Sequence, residues 1–240
     1  MGFASVINST GKKITGRSEV VNSKSVELFL IFAYFIFLFF PSLSSADLFE
    51  YEEGVHYARL EVPIGTSNPG KIEVTEYFSY GCPHCFRFEP LISQWKSQLS
   101  SDVIFNRTPA IWNVPGYQMF ARTYYTLEAL DYLSKLHLPL FKTIHNNGRR
   151  LNDLEAIAEF VSEYGVDAET FLRTYNDSFG VTAKYQRAVA RQKIYGARGV
   201  PALIVNGKYR IEGSMVGNSN LGMLQVADFL IEKERGLLAR

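Results

Sequence analysis

Ile72, Val74, Glu76 and Phe78 alternate with Glu73, Thr75, Tyr77 and Ser79, and from Phe88 onward apolar residues recur at Phe88, Leu91, Ile92, Trp95 and Leu99. A period of two that gives way to a period near 3.6 predicts a strand running straight into an amphipathic helix. At the switch stands Ser79-Tyr80-Gly81-Cys82-Pro83-His84-Cys85-Phe86. Cys82 falls at the helix N-cap and Pro83 at the first helical position, where proline's fixed φ fits and its missing N–H leaves nothing unpaired. Glu76 shares the parity of its apolar neighbours and is expected to point inward. It is either a carboxylate that escapes to solvent at the strand end or a buried acid able to exchange a proton with Cys85.

The rest of the chain extends the pattern. Tyr51 to Ile64 is an extended lead-in, closed by the Gly65-Thr66-Ser67-Asn68-Pro69-Gly70 turn cluster, and Val103 opens a second strand ending near Thr108-Pro109. Apolar residues from Phe120 to Leu133 repeat every three or four positions, and Pro139 is expected to open a short segment closed by Gly148. Asn152 to Glu155 has the form of a capping box, and Asp167 caps a further short helix. His137 and His145 read as surface residues. Lys184 to Tyr195 forms another helix stopped by Gly196, followed by a hairpin from Gly199 to Ile211 with an Asn206-Gly207 turn and a closing amphipathic helix from Leu221 to Leu238.

Residues 1–46 stand outside this pattern. Lys12, Lys13, Arg17 and Lys24 precede an unbroken apolar run from Leu28 to Phe40, then Pro41 and the small residues Ser42, Ser44, Ser45 and Ala46. This is the form of a secretory signal peptide, with cleavage expected after Ala46. As an uncleaved anchor the run would make a helix of only ~20 Å, short of the ~30 Å hydrocarbon core. The chain starts Met1-Gly2, but Val6 stands where acylation requires Ser or Thr.

Without the leader 194 residues remain, enough for one domain or a domain with a large insertion, and the whole-chain charge of +1 becomes −1. That balance gives no basic surface for nucleic acid. The chain has two cysteines in all, and both are in the Cys82-Pro83-His84-Cys85 motif. A zinc site needs about four ligands, and no second cysteine pair or closely spaced histidines supply them. A structural disulfide closing so short a loop would constrain little of the unfolded chain.

Redox chemistry gives each sulfur a job. Cys82 meets free backbone N–H groups and the positive end of the helix, both of which favour the thiolate, so it is the expected exposed nucleophile. His84 can add positive charge or an N–H donor. Cys85, one turn further in, is the expected resolving thiol. Anything that favours the Cys82 thiolate stabilises the dithiol over the disulfide and makes the site more oxidising. For illustration, a Cys82 pKa of about 4 would contribute ~4 kcal/mol at pH 7, or roughly 90 mV.

Cys82-Pro83-His84-Cys85, the Glu76-Tyr77-Phe78-Ser79 approach, Gly199-Val200-Pro201-Ala202 and Val205-Asn206-Gly207-Lys208-Tyr209 together resemble the DsbA family of bacterial periplasmic thiol:disulfide oxidases. The resemblance runs from about Tyr51, through Tyr51-Glu52-Glu53-Gly54, to the C-terminus. It implies an α/β thioredoxin fold made of residues 47–109 and 181–240, with 110–180 as an inserted all-helical domain. It also implies a cis Val200-Pro201 peptide beside the active-site pair as the docking edge for an extended client segment. Glu76 aligns with the family's buried acid beneath the resolving cysteine, which favours the proton-relay alternative. Expected partners are reduced client proteins and a DsbB-like membrane quinone reductase that reoxidises the pair. The protein is expected to act as a monomer in the periplasm without a bound cofactor.

Two departures bear on groove shape. Gly81 stands where relatives often carry an aromatic residue, and Pro90 follows the thioredoxin pattern and predicts a kink. An isomerase or reductant on the same fold is the nearest alternative function. Isomerases of this kind carry a separate dimerisation domain, for which the ~25 residues between Asp47 and the first core strand leave no room. A peptide-binding or chaperone module with an incidental cysteine pair is a third.

Overall fold

A computed structural model describes residues 51–238; the expected signal peptide lies outside them. Five strands form one mixed sheet in the order β1-β5-β4-β2-β3: β1 (Ala58–Arg59), β2 (Ile72–Phe78), β3 (Val103–Pro109), β4 (Ala202–Val205) and β5 (Tyr209–Glu212). Strand β2 lies between a parallel partner, β3, and an antiparallel one, β4, with Val74 opposite Phe105 and Val205. All seven of its residues are buried. Its period of two therefore separates two covered faces rather than core from solvent, as is usual for a strand inside an α/β sheet. Ile72 and Val74 pack against Phe88, Ile92 and Trp95 of helix α1 (Pro83–Ser97) and Leu230 of helix α7 (Asn220–Leu238). On the other face Tyr77 packs with Leu60, Tyr195 and Ile204.

Between β3 and β4 the described chain is helical: α2 (Tyr117–Ala129), α3 (Leu133–His145), α4 (Leu154–Ser162), α5 (Ala168–Asp177) and α6 (Phe179–Tyr195). Asp153, Asp167 and Ser178 cap α4, α5 and α6 by accepting the N–H groups of Ala156, Thr170 and Val181. These helices enclose a second core built on Leu127, Leu136, Leu140, Phe141, Phe160 and Phe171. Phe78, Tyr80, Cys82 and Cys85 belong to it, so the end of β2 and the start of α1 join the helical layer to the sheet. Helix α6 crosses the expected boundary at residue 180: Val181 and Ala188 pack in the helical core and Tyr195 against the sheet.

Several sequence expectations require correction. The repeat from Phe120 to Leu133 is broken after Leu130, where Asp131 takes φ +61 and α3 begins afresh at Leu133. Pro139 lies inside α3 rather than opening a segment, because burial of Leu136, Leu140 and Phe141 outweighs the lost backbone bond. Likewise α6 starts at Phe179, five residues before Lys184. Leu91 is exposed although its spacing suits the core, and Glu89 is buried. The hairpin is as expected, with Asn206 at φ +49 and Gly207 at φ +62 in the turn and Lys208 N–H donating to the Val205 carbonyl. Among the described residues no helix is long and apolar enough to cross a membrane.

Candidate active site

Cys82 is the N-cap of α1 and Pro83 its first residue, so the cap is a sulfur that accepts the Cys85 backbone N–H at 3.4 Å. Both cysteines are free. As a thiol, Cys82 donates to the Val200 carbonyl at 3.3 Å. Ionisation removes that bond and leaves the sulfur as acceptor only. The Cys82 pKa is brought down to about 6, first by a hydrogen bond from the Cys85 thiol, against burial, and then by the backbone N–H groups of Cys85 and His84 and the charge of His84. The largest contribution is thus one that the helix-terminus argument missed. Cys85, fully buried, is pushed well above the ordinary thiol range by burial, by its bond to Cys82, and by the charges of Cys82 and Glu76.

The Val200-Pro201 peptide is cis, as the family resemblance implied. Pro201 is buried and carries no N–H to compete for the sulfur. The approach to this loop is held by Glu212 of β5, which accepts the Arg198 N–H at 2.7 Å and the Gly199 N–H at 3.3 Å. His84 is exposed, with its Nδ1 3.0 Å from Arg87 Nη2. Gly81 leaves room for Tyr117: a Cβ there would sit 3.1 Å from the tyrosine ring. An aromatic side chain from α2 therefore packs over Gly81.

Glu76 is fully buried, on the face of β2 that its parity predicted. Its Oε2 accepts from Arg107 Nε at 2.7 Å, and its Oε1 has no partner. Arg107 also reaches Glu89 with Nη2, at 3.0 and 3.2 Å. The Glu76 pKa rises to about 7, driven by burial, opposed by Arg107, and raised further by Glu89 and Cys82. Burial also pushes Glu89 upward, but hydrogen bonds from His137 and Arg107 and the guanidinium charge outweigh it and hold Glu89 below the ordinary value.

His137 is not a surface residue. It is buried between Tyr80 and Glu89, with Nδ1 2.7 Å from the Tyr80 hydroxyl and Nε2 3.1 Å from Glu89 Oε1. Burial lowers its pKa, which favours the neutral ring. With Nε2–H donating to the Glu89 carboxylate, Nδ1 of the neutral ring is an acceptor, and the Tyr80 hydroxyl, kept protonated by burial, donates to it. His145 is half-buried, stacks on Phe86 at 5.2 Å and donates from Nε2 to the Tyr80 carbonyl at 2.8 Å. Arg107, Glu89, Tyr80, Tyr117, His137 and Glu212 were not singled out for the site. Only Glu89 gave a local signal, a charged residue on the apolar stripe of α1.

A strand leading to a cysteine-capped helix, with a cis-proline loop against the outer sulfur and a second sulfur buried behind it, defines a thiol:disulfide oxidoreductase on a thioredoxin fold. A family model for the DSBA-like thioredoxin domain matches residues 92–227, beginning just past the cysteine pair. The thiol:disulfide interchange protein DsbA of Azotobacter vinelandii is 44% identical over 199 residues, covering 81% of this chain and 88% of that protein. The DsbA of Pseudomonas aeruginosa is 43% identical over 200 residues, covering 82% and 90%. The crystal structure of Pseudomonas aeruginosa DsbA matches at TM-score 0.74 and 39% identity over 79% of this chain and 97% of that one. Oxidoreductase DsbA from Xylella fastidiosa matches at TM-score 0.72 and 29% identity, over 78% and 98%. The chain belongs to the DsbA family.

Proposed function

We propose that the protein is exported to the periplasm by its leader and oxidises reduced client proteins there, with Cys82 as the attacked sulfur and Cys85 as the buried partner. The observation that carries this direction is the split between the two thiols: Cys82 lowered to about 6 and Cys85 well raised. A Cys82 pKa one unit below pH 7 favours the dithiol by ~1.4 kcal/mol, or roughly 30 mV of oxidising potential. That is about a third of the illustration given for a pKa of about 4.

A client thiolate attacks Cys82 Sγ, the Cys82–Cys85 bond breaks, and its electron pair leaves on Cys85 Sγ. Cys85 takes a proton from Glu76, which at about pH 7 is half protonated. A second client thiolate then attacks the client sulfur of the mixed disulfide. Cys82 departs as a thiolate, its most stable form at that pH, and the client leaves with a disulfide. Two electrons have passed to the protein, and a membrane quinone reductase of the DsbB kind is the proposed acceptor that regenerates the pair. Val200 and Pro201 form the edge along which an extended client segment lies, and His84 helps to hold the Cys82 thiolate. Pro83 starts the helix at Cys82 without adding an N–H.

The test is oxidation of a reduced peptide with two thiols by the disulfide form. The wild type should convert it stoichiometrically, Cys82→Ser should not react, and Cys85→Ala, offered the same peptide in its disulfide form, should halt at a mixed disulfide as its Cys82 thiolate attacks and one peptide sulfur leaves. Conversion by Cys82→Ser would refute the assignment. So would a wild-type protein that reduces peptide disulfides but does not form them.

A further inference from the structure

We infer that His137, held in one tautomer by Tyr80, is a positioning residue that keeps Glu89 in its carboxylate form and so leaves the proton shared by the two buried acids on Glu76. The inference rests on the assignment of Glu76 as the proton partner of Cys85. Two buried carboxylates face one guanidinium here, and with both ionised the cluster would hold an uncompensated buried charge. One acid must therefore be the better site for a proton near neutrality, and hydrogen bonding decides which. Glu89 accepts from Arg107 at 3.0 and 3.2 Å and from His137 Nε2 at 3.1 Å. Glu76 accepts from Arg107 Nε alone and has a bare Oε1. The imidazole N–H widens that difference.

The tautomer is fixed from the other side. Tyr80 immediately precedes Gly81-Cys82, and its hydroxyl lies 2.7 Å from Nδ1; with that O–H donating, the ring proton lies on Nε2, toward Glu89. The groups facing His137 are Tyr80 on the β2–α1 loop, Glu89 and more distant Lys96 on α1, Arg107 on β3, and Tyr124 on α2 with its ring at 6.4 Å. The two phenyl rings beside it, Phe78 and Phe141, are apolar. Glu89, Arg107 and His137 also line a groove of about 710 Å³ that neither cysteine lines. Water there can return to the cluster the proton that Glu76 gives to Cys85. If the proton resided on Glu89 instead, the departing Cys85 thiolate would face a carboxylate with nothing to donate.

Carboxyl carbon NMR on the full chain in its dithiol form, labelled at glutamate and assigned with Glu76→Gln and Glu89→Gln, reads the two acids directly. In the wild type Glu76 should titrate near pH 7 while Glu89 stays ionised. In His137→Leu the Glu76 midpoint should fall by about one pH unit, a tenfold change in its protonated-to-ionised ratio, with Glu89 rising. The alkaline limb of the pH profile for mixed-disulfide formation, where the protonated form of Glu76 is lost, should move with it. His137→Gln, which offers an N–H to Glu89 and a carbonyl to Tyr80, should restore the wild-type titration. Tyr80→Phe, a milder change if His137→Leu fails to fold, should lower the midpoint by less. A Glu76 midpoint unmoved in His137→Leu or Tyr80→Phe, or one that His137→Gln fails to restore, would overturn the inference. A wild-type rate profile indifferent to Glu76→Gln would instead remove the relay, and the NMR titrations would still decide the role of His137.

Discussion

Replacing Cys85 with alanine isolates the interaction that the structure ranks first at Cys82. The sulfur has three kinds of support: the Cys85 thiol, the backbone N–H groups of Cys85 and His84, and the charge of His84, all acting against burial. The substitution removes only the first. A hydrogen bond to a charged acceptor is worth ~1.5–3 kcal/mol, which corresponds to about one to two pKa units. The Cys82 midpoint should therefore rise from about 6 to roughly 7–8. At pH 7 the thiolate fraction would fall from about nine-tenths to between roughly half and a tenth. Cys85→Ser keeps an O–H donor in place and should stay much nearer the wild-type midpoint. Ultraviolet thiolate absorbance followed by pH titration is the right assay, since alkylation rates partly hide the change: a thiolate of higher pKa is intrinsically more nucleophilic. A Cys85→Ala midpoint at or below the wild-type value would mean that the helix start and His84 suffice and that the buried thiol contributes nothing.

Because burial lifts the folded Glu76 pKa to about 7, above the ~4.3 of an unfolded chain, the native protein binds the extra proton and wild-type stability should decline as pH rises through that window. Relative to wild type, Glu76→Gln should gain up to ~3 kcal/mol between about pH 4 and pH 8 in urea unfolding, and a pH-independent difference would contradict the assignment. Gly207→Ala would put a Cβ 2.0 Å from the Ile64 carbonyl oxygen at a residue with φ +62. It should cost about 2–4 kcal/mol of stability, and a loss within about 0.5 kcal/mol would show that the lead-in does not pack against the hairpin turn as described.

Much of this architecture is local and could be read along the chain. The change of period at Gly81 located the cysteine-capped helix, and the parity of Glu76 gave its inward face. Gly196 marked the end of α6 through its left-handed backbone, and Asn206-Gly207 specified the hairpin turn. The cis peptide at Val200-Pro201 and the two-part fold around a helical insertion came from the family resemblance, since nothing in periodicity alone fixes either. What escaped the sequence depends on tertiary proximity. Arg107 meets Glu76 across 31 positions and His137 meets Tyr80 across 57, so no spacing rule joins them. His137 looked like a surface residue because α3 is amphipathic, and only the packed helices reveal that its ring faces Glu89. Pro139 misled for a related reason: local preference argued for a helix start, while the packing of Leu136 and Phe141 sets the true one.

The most direct test of the central claim is the equilibrium of the Cys82–Cys85 disulfide with glutathione at pH 7, repeated across the pH range that spans the Cys82 titration. A site that holds Cys82 as a thiolate above about pH 6 should favour reduction by glutathione at pH 7 about tenfold more than the same pair with an ordinary thiol. Relative to an ordinary dithiol, its oxidising excess should fade as pH drops through about 6, where the thiolate is lost. A pair that stays oxidised against glutathione at pH 7, or whose excess does not change through that window, would contradict the account.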